Sequence, residues 1–346
     1  MEFLEMKSNY NNIINIDKMI KIYKKITVNT KHRGKIFDFN MFYTSNIISI
    51  YEDLKNKTYN HDRYNIFLIK EPKERIIMSE KIRDKIVNHL LSDYILLPII
   101  EPLLIDENVA TRKDKGTRMA IYYMKKYLNE THKKYHNFYI LKCDISKYFY
   151  NIDHDILKDD LRLIIKDNDT YSLIDNIISS TNLSYINDSI NSINNKNNLN
   201  LPVYRFNKGL PIGNQTSQIL AIYYLNDLDH YIKEELGINC YIRYMDDFIL
   251  IHHNKEYLKY CLKEIEKFLI KKKLFLNKKT NIYNIKNGIP FLGFKYFFKN
   301  DKLIMTIVSK TKRKIKRRIR RGETCIENYN GYLCFGDTKN FVYKYK

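Results

Sequence analysis

The chain has 346 residues, of which 60 are Lys or Arg and 39 are Asp or Glu, for a formal charge of +21. That length supports one or two domains with a substantial core, and the basic balance suits a polyanionic partner. Five cysteines without a Cys-x-x-Cys pair read as reduced thiols in a cytoplasmic protein, which excludes a disulfide scaffold. Part of the Lys excess goes with an Ile-, Asn- and Tyr-rich, Trp-free composition, so clustered Arg counts for more than total charge.

Residues 1–60 read as helical, with apolar positions at helical spacing over 14–26 and 37–54 and a basic turn at 29–35 between them. Residues 1–10 lack the apolar centre of a signal peptide. Tyr64–Met78 reads as two strands joined at Glu71-Pro72-Lys73-Glu74. Lys73 and Arg75 alternate with apolar neighbours there, so they can share a face; an exposed hairpin with ordinary surface charge is the competing reading. An amphipathic helix follows over 82–90. The most hydrophobic run, Tyr94–Ile105, is too short for a bilayer and carries Glu101 and two prolines, so no membrane is expected. Residues 110–117 place a Gly and several cations before a helix over 119–128, which reads as a phosphate cradle of free helix N–H groups.

Phe138–Ile145 is a hydrophobic strand ending in a lone aspartate, Asp144. After a helical portion from Lys158, residues 179–200 are rich in Asn, Ser and Ile without clear periodicity, and read as a polar insertion or mobile loop. Gly209–Gln218 is a Gly-rich turn feeding a helix over 219–229. Tyr241–Leu250 sets two apolar runs around Met245-Asp246-Asp247, a β-hairpin with adjacent carboxylates at its tip. Ionised carboxylates among hydrophobic strands are costly unless paired or bound to metal; a turn that simply uses Asp is the alternative. The second acidic strand end at Asp144 tips the choice. Carboxylates from different strands that hold two metal ions roughly 3.5–4 Å apart are the apparatus of in-line phosphoryl transfer. His252-His253 reads as a strand-end pair near solvent, not a zinc site. A charged helix over 257–274, an apolar hairpin with glycines at 288–294 and a densely cationic helix over 310–321 follow.

Asp144 with Phe149 five residues on, and then Tyr244-Met245-Asp246-Asp247, resemble the palm of reverse transcriptases, and the similarity extends from about Tyr64 to Tyr332. The resemblance implies an α+β, right-hand polymerase fold: an N-terminal extension and fingers over 1–136, a palm with an antiparallel sheet over 137–299 and a small helical basic thumb over 300–346, with no ribonuclease H, maturase or endonuclease region expected. It implies an RNA-directed DNA polymerase that uses two Mg2+ ions, for which Mn2+ can substitute. Asp144, Asp246 and Asp247 would be the carboxylate ligands, with Ile145 as a further metal position. Lys279 would be the acid that protonates pyrophosphate, with a solvated lysine as the alternative. Lys73 and Arg75 would grip the triphosphate, and Arg112 would contact template and nucleotide. Phe149 would lie under the incoming sugar, exclude a 2′-hydroxyl and so make the product DNA. Ile212, Gly213, Gln218 and Met245 would complete the nucleotide site. Gly293 would belong to the primer grip, and Lys312, Arg313, Lys316, Arg317 and Arg320 to the helix along the template–primer backbone.

The family usually carries Gln-Gly and Ser-Pro where this chain has Ile212-Gly213 and Ser217-Gln218. That departure resembles the reverse transcriptases of diversity-generating retroelements and neighbouring bacterial lineages. It implies a bacterial or phage-encoded enzyme with a template RNA, a primer, deoxynucleoside triphosphates and a small basic accessory protein. One alternative is a defence-associated or unassigned bacterial reverse transcriptase acting with a noncoding RNA or a second polymerase subunit. Another, of a different class, is a catalytically silent RNA-binding scaffold, against which the full set of aspartates and Phe149 argues.

Overall fold

The computed structural model describes residues 9–30, 33–71, 73–343 and 345. Most of the segment read for a signal peptide, Lys31 and His32 of the basic turn, and Pro72 of the first hairpin lie outside them. The chain forms two compact units, each assembled from three stretches. One holds Ser146–Asp227, Ile270–Leu274 and the described residues before Ile105; the other holds Ile105–Ile145, Leu228–Leu269 and the described residues from Phe275 on.

In the first unit, helices span Ile16–Asn29, Arg33–Met41 and Tyr43–Lys55. Asn15 caps the first by accepting a hydrogen bond from the Lys18 N–H, and Met19, Ile22, Tyr23 and Ile26 recur at helical spacing to form its buried stripe. Strands β1 (Asn65–Ile69) and β2 (Arg75–Ser79) then make the expected antiparallel hairpin, with Ile69 opposite Arg75. The helix after it is longer than the sequence suggested. Ile82–Leu91 runs through a π turn at Ser92–Leu96, just ahead of Pro98, and on to Leu103. Ile82–Leu103 is long and apolar enough, by length and composition, to cross a membrane. Ile86, Leu90, Ile95 and Ile100 are nonetheless fully buried, and so are the polar Asp84, Asn88 and Ser92.

The segment at 179–200 is not a loop. A helix over Asn168–Ser179 passes through one 3-10 turn into a second helix, Ser184–Asn197. Ile186 and Ile190, four residues apart, are fully buried against Tyr64, Ile76 and Met78, so this helix backs the β1–β2 hairpin. Asn187 donates to the Tyr204 carbonyl at 2.8 Å and accepts from its N–H at 2.9 Å; Asn194 does the same for Leu201, at 3.0 Å each way. Asparagine is a poor helix former because it competes for backbone hydrogen bonds, and here that ability fastens the next segment to the helix.

The second unit is built on a sheet of order β4-β5-β3-β6, antiparallel throughout: β3 (Tyr139–Asp144), β4 (Tyr241–Tyr244), β5 (Asp247–His252) and β6 (Asn281–Asn284). The Thr117–Lys134 helix lays Ala120, Ile121, Met124 and Leu128 on the sheet residues Ile140, Ile242, Ile249 and Ile251. A second sheet joins β7 (Ile289–Phe291), β8 (Phe294–Lys299) and β9 (Lys302–Ile307), and a cationic helix, Ser309–Arg320, follows with Ile315 buried beneath it. All five cysteines are unpaired.

Candidate active site

Strand register in the second unit sets two of the three aspartates opposite each other, with the third next to one of them in sequence. Asp144 ends β3 directly opposite Asp247, the first residue of β5, and Asp246 closes the two-residue turn before it. Met245, the first turn residue, sits at φ +59°, a region that L side chains rarely occupy. Two main-chain hydrogen bonds tie the strand ends together: Ile145 N–H to the Asp246 carbonyl at 3.1 Å, and Asn277 N–H to the Asp144 carbonyl at 2.7 Å.

The hairpin is anchored from beneath by an ion pair that the sequence did not disclose. Arg243 and Asp229 are both fully buried, and the guanidinium Nε and Nη2 each reach one Asp229 oxygen at 2.6 Å. Tyr241 Oη donates to the same carboxylate at 2.7 Å, while Arg243 Nη1 donates to the Met245 carbonyl at 3.1 Å. A bidentate pair with its remaining groups satisfied is the arrangement in which buried charge is tolerated. It holds the strained turn that carries the carboxylates. An Arg inside the apolar run Tyr241–Tyr244 was the available signal.

Lys142 is the second group that sequence reasoning passed over. It lies two residues before Asp144 and so on the same face of β3, diagonal to Asp247 across the ladder. Its Nζ donates to Asp247 Oδ2 at 2.9 Å and to the Pro290 carbonyl at 3.2 Å. Burial pushes the Asp247 carboxyl up to about 6; Lys142 acts against that rise, and the Asp144 and Asp246 charges add to it. Asp247 Oδ1 is buried with no hydrogen-bond partner. An orphaned carboxylate oxygen beside two further carboxylates is a hard, oxygen-only donor set, which fits Mg2+ or Mn2+ and not a thiophilic metal. Ile145, whose main-chain carbonyl is the oxygen it could offer, sits at this strand end with its side chain buried.

Lys279 is exposed in the turn before β6, in the Leu276–Thr280 segment that Asn277 joins to Asp144. Two further candidates of this unit make contacts inside the protein. Arg112 is only 8% exposed, and its Nη1 donates to the Ile105 and Asn108 carbonyls, so it braces its own loop; Lys113 and Arg118 are the exposed cations there. Gly293 is needed inside the protein. Leu292 and Gly293 form the β7–β8 turn at φ +47° and +83°, and a Cβ on Gly293 would lie 2.3 Å from the Tyr332 hydroxyl, which donates to the Gly293 carbonyl. In the cationic helix, Arg313, Arg317 and Arg320 recur along one exposed face, while Lys312 and Lys316 are half-buried, the latter over the Tyr345 ring.

The remaining candidates belong to the first unit. Lys73 and Arg75 are exposed at the hairpin, and so is Glu74 between them. Phe149 is half-buried, and its carbonyl accepts the Leu210 N–H at 2.8 Å. The Ile212 carbonyl accepts the Met78 N–H at 2.8 Å, and a Cβ on Gly213 would lie 2.6 Å from the Met78 carbonyl. The glycine thus lets the 209–213 turn close on β2. Gln218 is half-buried on the first turn of the Gln215–Tyr224 helix.

Comparison with known proteins agrees with this architecture. Two telomerase structures share the fold: apo telomerase of Candida tropicalis truncated from its C-terminal domain, at TM-score 0.51 and 16% identity over 75% of this chain and 60% of that one, and Candida albicans telomerase in complex with a TWJ fragment of telomeric RNA, at 0.50 and 14% over 78% and 49%. The chain therefore spans between about half and three fifths of their length. No curated protein matches it. Their likeness identifies the fold as the right-hand polymerase fold, here with mixed helix and antiparallel sheet. Residues 68–296 match the family described as reverse transcriptase (RNA-dependent DNA polymerase), and with two thirds of its length inside that match the chain belongs to this family of nucleotidyltransferases.

Proposed function

We propose that this chain copies a dedicated RNA template into DNA by attack of a primer 3′-hydroxyl on the α-phosphate of a deoxynucleoside triphosphate. The observation that carries the reading is the register that sets Asp144 opposite Asp247, with Asp246 beside it and one Asp247 oxygen left without a partner. Asp144, Asp246 and Asp247 would hold two Mg2+ ions, for which Mn2+ can substitute, and the ions would supply charge neutralisation at the reacting phosphate and activation of the hydroxyl. Lys142 fixes one oxygen of Asp247 and so aims the other. Arg243 holds the turn against Asp229 and keeps the carboxylates from drifting. Lys279, exposed, is the proton donor to the leaving pyrophosphate. Phe149 bars a 2′-hydroxyl, and Arg75 with Lys73 takes the triphosphate charge. Arg313, Arg317 and Arg320 neutralise template–primer phosphates.

The setting favoured by Ile212-Gly213 and Ser217-Gln218 is a diversity-generating retroelement, with a template RNA and an accessory protein. The polar group that Gln would place beside the nascent base pair is absent in Ile212, so fidelity is relaxed. Sequencing of cDNA made on a defined RNA should show an elevated error rate that falls in Ile212→Gln. An ordinary error rate, unchanged by the substitution, would remove this setting and leave a defence-associated or unassigned enzyme, for which RNA co-purified with the protein is the next observation.

A further inference from the structure

Among the described residues, one cluster in the second unit brings three metal-ligating side chains within 4.8 Å of one another. His132, in the last turn of the Thr117–Lys134 helix, His136, just beyond its end, and Asp301, in the β8–β9 turn, each place a ligand atom within 4.8 Å of the others. Two features make this more than a surface coincidence. The His132 ring is fixed, stacked on Phe298 with centroids 3.8 Å apart and planes 16° from parallel, and flanked edge-on by Phe138. Its Nδ1 is buried without a hydrogen-bond partner, while Nε2 is aimed at Asp301 Oδ1, 3.1 Å away. A neutral imidazole with its proton on Nδ1 would point a lone pair at a carboxylate lone pair, so that gap calls for a cation or a proton. The turn that presents Asp301 is itself set: Asn300 and Asp301 lie at φ +48° and +56°, both positive as a two-residue hairpin turn of this hand requires.

We propose that His132, His136 and Asp301 form a binding site for a first-row transition-metal dication, of which Zn2+ is the type. Two imidazoles and one carboxylate suit such an ion and leave its fourth position to water, whereas Mg2+ prefers an all-oxygen set. His136 and Asp301 are exposed and can make the small adjustment that brings their donors to about 2.0–2.2 Å from a common ion. The ion ties the end of the Thr117–Lys134 helix to the tip of the β8–β9 hairpin, the hairpin from which the cationic Ser309–Arg320 helix departs. It is a structural clamp, separate from the carboxylates of Asp144, Asp246 and Asp247.

Cobalt serves as the probe, because Co2+ held by such donors has visible absorption that does not depend on activity. Chelator-treated protein in excess Mg2+, which occupies the carboxylates, is titrated with Co2+ and then challenged with Zn2+. The expected result is a visible band that saturates at about one ion per chain, is bleached by Zn2+, persists in Asp246→Asn and is lost in His136→Ala and in Asp301→Asn. Both of those side chains are exposed, so the variants keep the fold, which circular dichroism checks. In parallel, Zn2+ should slow amide exchange at the 300–301 turn in the wild type alone. No band, a band that survives both substitutions, or one lost only in Asp246→Asn would overturn the site.

Discussion

The β4–β5 and β1–β2 hairpins present their charged residues in opposite ways. The β4–β5 hairpin has β5 inside a four-stranded sheet; its strand residues are mostly buried, and its strained tip is held by a buried Arg–Asp pair. The β1–β2 hairpin is a sheet of two strands, mostly exposed or half-buried, and leans on the Ser184–Asn197 helix. A carboxylate set that must place ions to within a fraction of an ångström needs the first kind of support. A cationic grip on a triphosphate tolerates the second, because a charge on a long side chain acts over a wider range of positions.

The comparison is broken most completely at the carboxylates. Asp144→Asn removes one charge from the set while keeping its shape, so incorporation should fall by about a thousandfold or more, with the melting midpoint and RNA binding by gel shift nearly unchanged. Retained synthesis would refute the assignment. Next in size is the anchor. Arg243→Met strands the fully buried Asp229 and should cost about 3–5 kcal/mol in a urea melt, whereas pairing it with Asp229→Leu should recover most of that loss. Full stability in the single variant would mean that the pair is incidental. On the other hairpin, Ile190→Ala should cost about 2–5 kcal/mol, because Ile190 is fully buried behind β1; a mobile loop would give no loss.

The smallest effect is one of pH. Asp247, raised to about 6, is protonated in the metal-free protein below that value, so divalent-ion affinity should weaken as pH falls through about 6. Lys142→Met removes the ammonium that opposes the rise and should move this acid limb upward, measured as Mn2+ affinity against pH. For stability the sign is reversed. The fold holds this proton more tightly than the unfolded chain, whose ordinary value is 3.8, so the contribution is complete below about pH 4 and lost as pH rises through about 6.

What could be read in the sequence followed from periodicity and chemistry that agree. The β3 strand, both hairpins and the cationic helix announced themselves because β-branched runs, turn residues and charge all pointed the same way at Tyr64–Met78, Tyr139–Asp144 and Tyr241–Leu250. The Ser184–Asn197 helix did not, because asparagines masked an Ile186–Ile190 spacing whose partners lie more than a hundred residues away on β1 and β2. The bracing role of Arg112 was hidden for a related reason: a cation in a loop gives no local sign that its neighbours Val109 and Ala110 are fully buried and that its Nη1 donates to two carbonyls. Lys142 and Arg243 were hidden in plain view, since their partners Asp247 and Asp229 are set by strand register and helix placement, which no local pattern encodes.

The central claim is that these three aspartates make DNA on RNA. Purified protein should incorporate labelled deoxynucleotides, and not ribonucleotides, on primed RNA with Mg2+ or Mn2+, and Asp246→Asn should abolish that signal. Ribonucleotide incorporation at a comparable rate, or deoxynucleotide incorporation that survives Asp246→Asn, would contradict it.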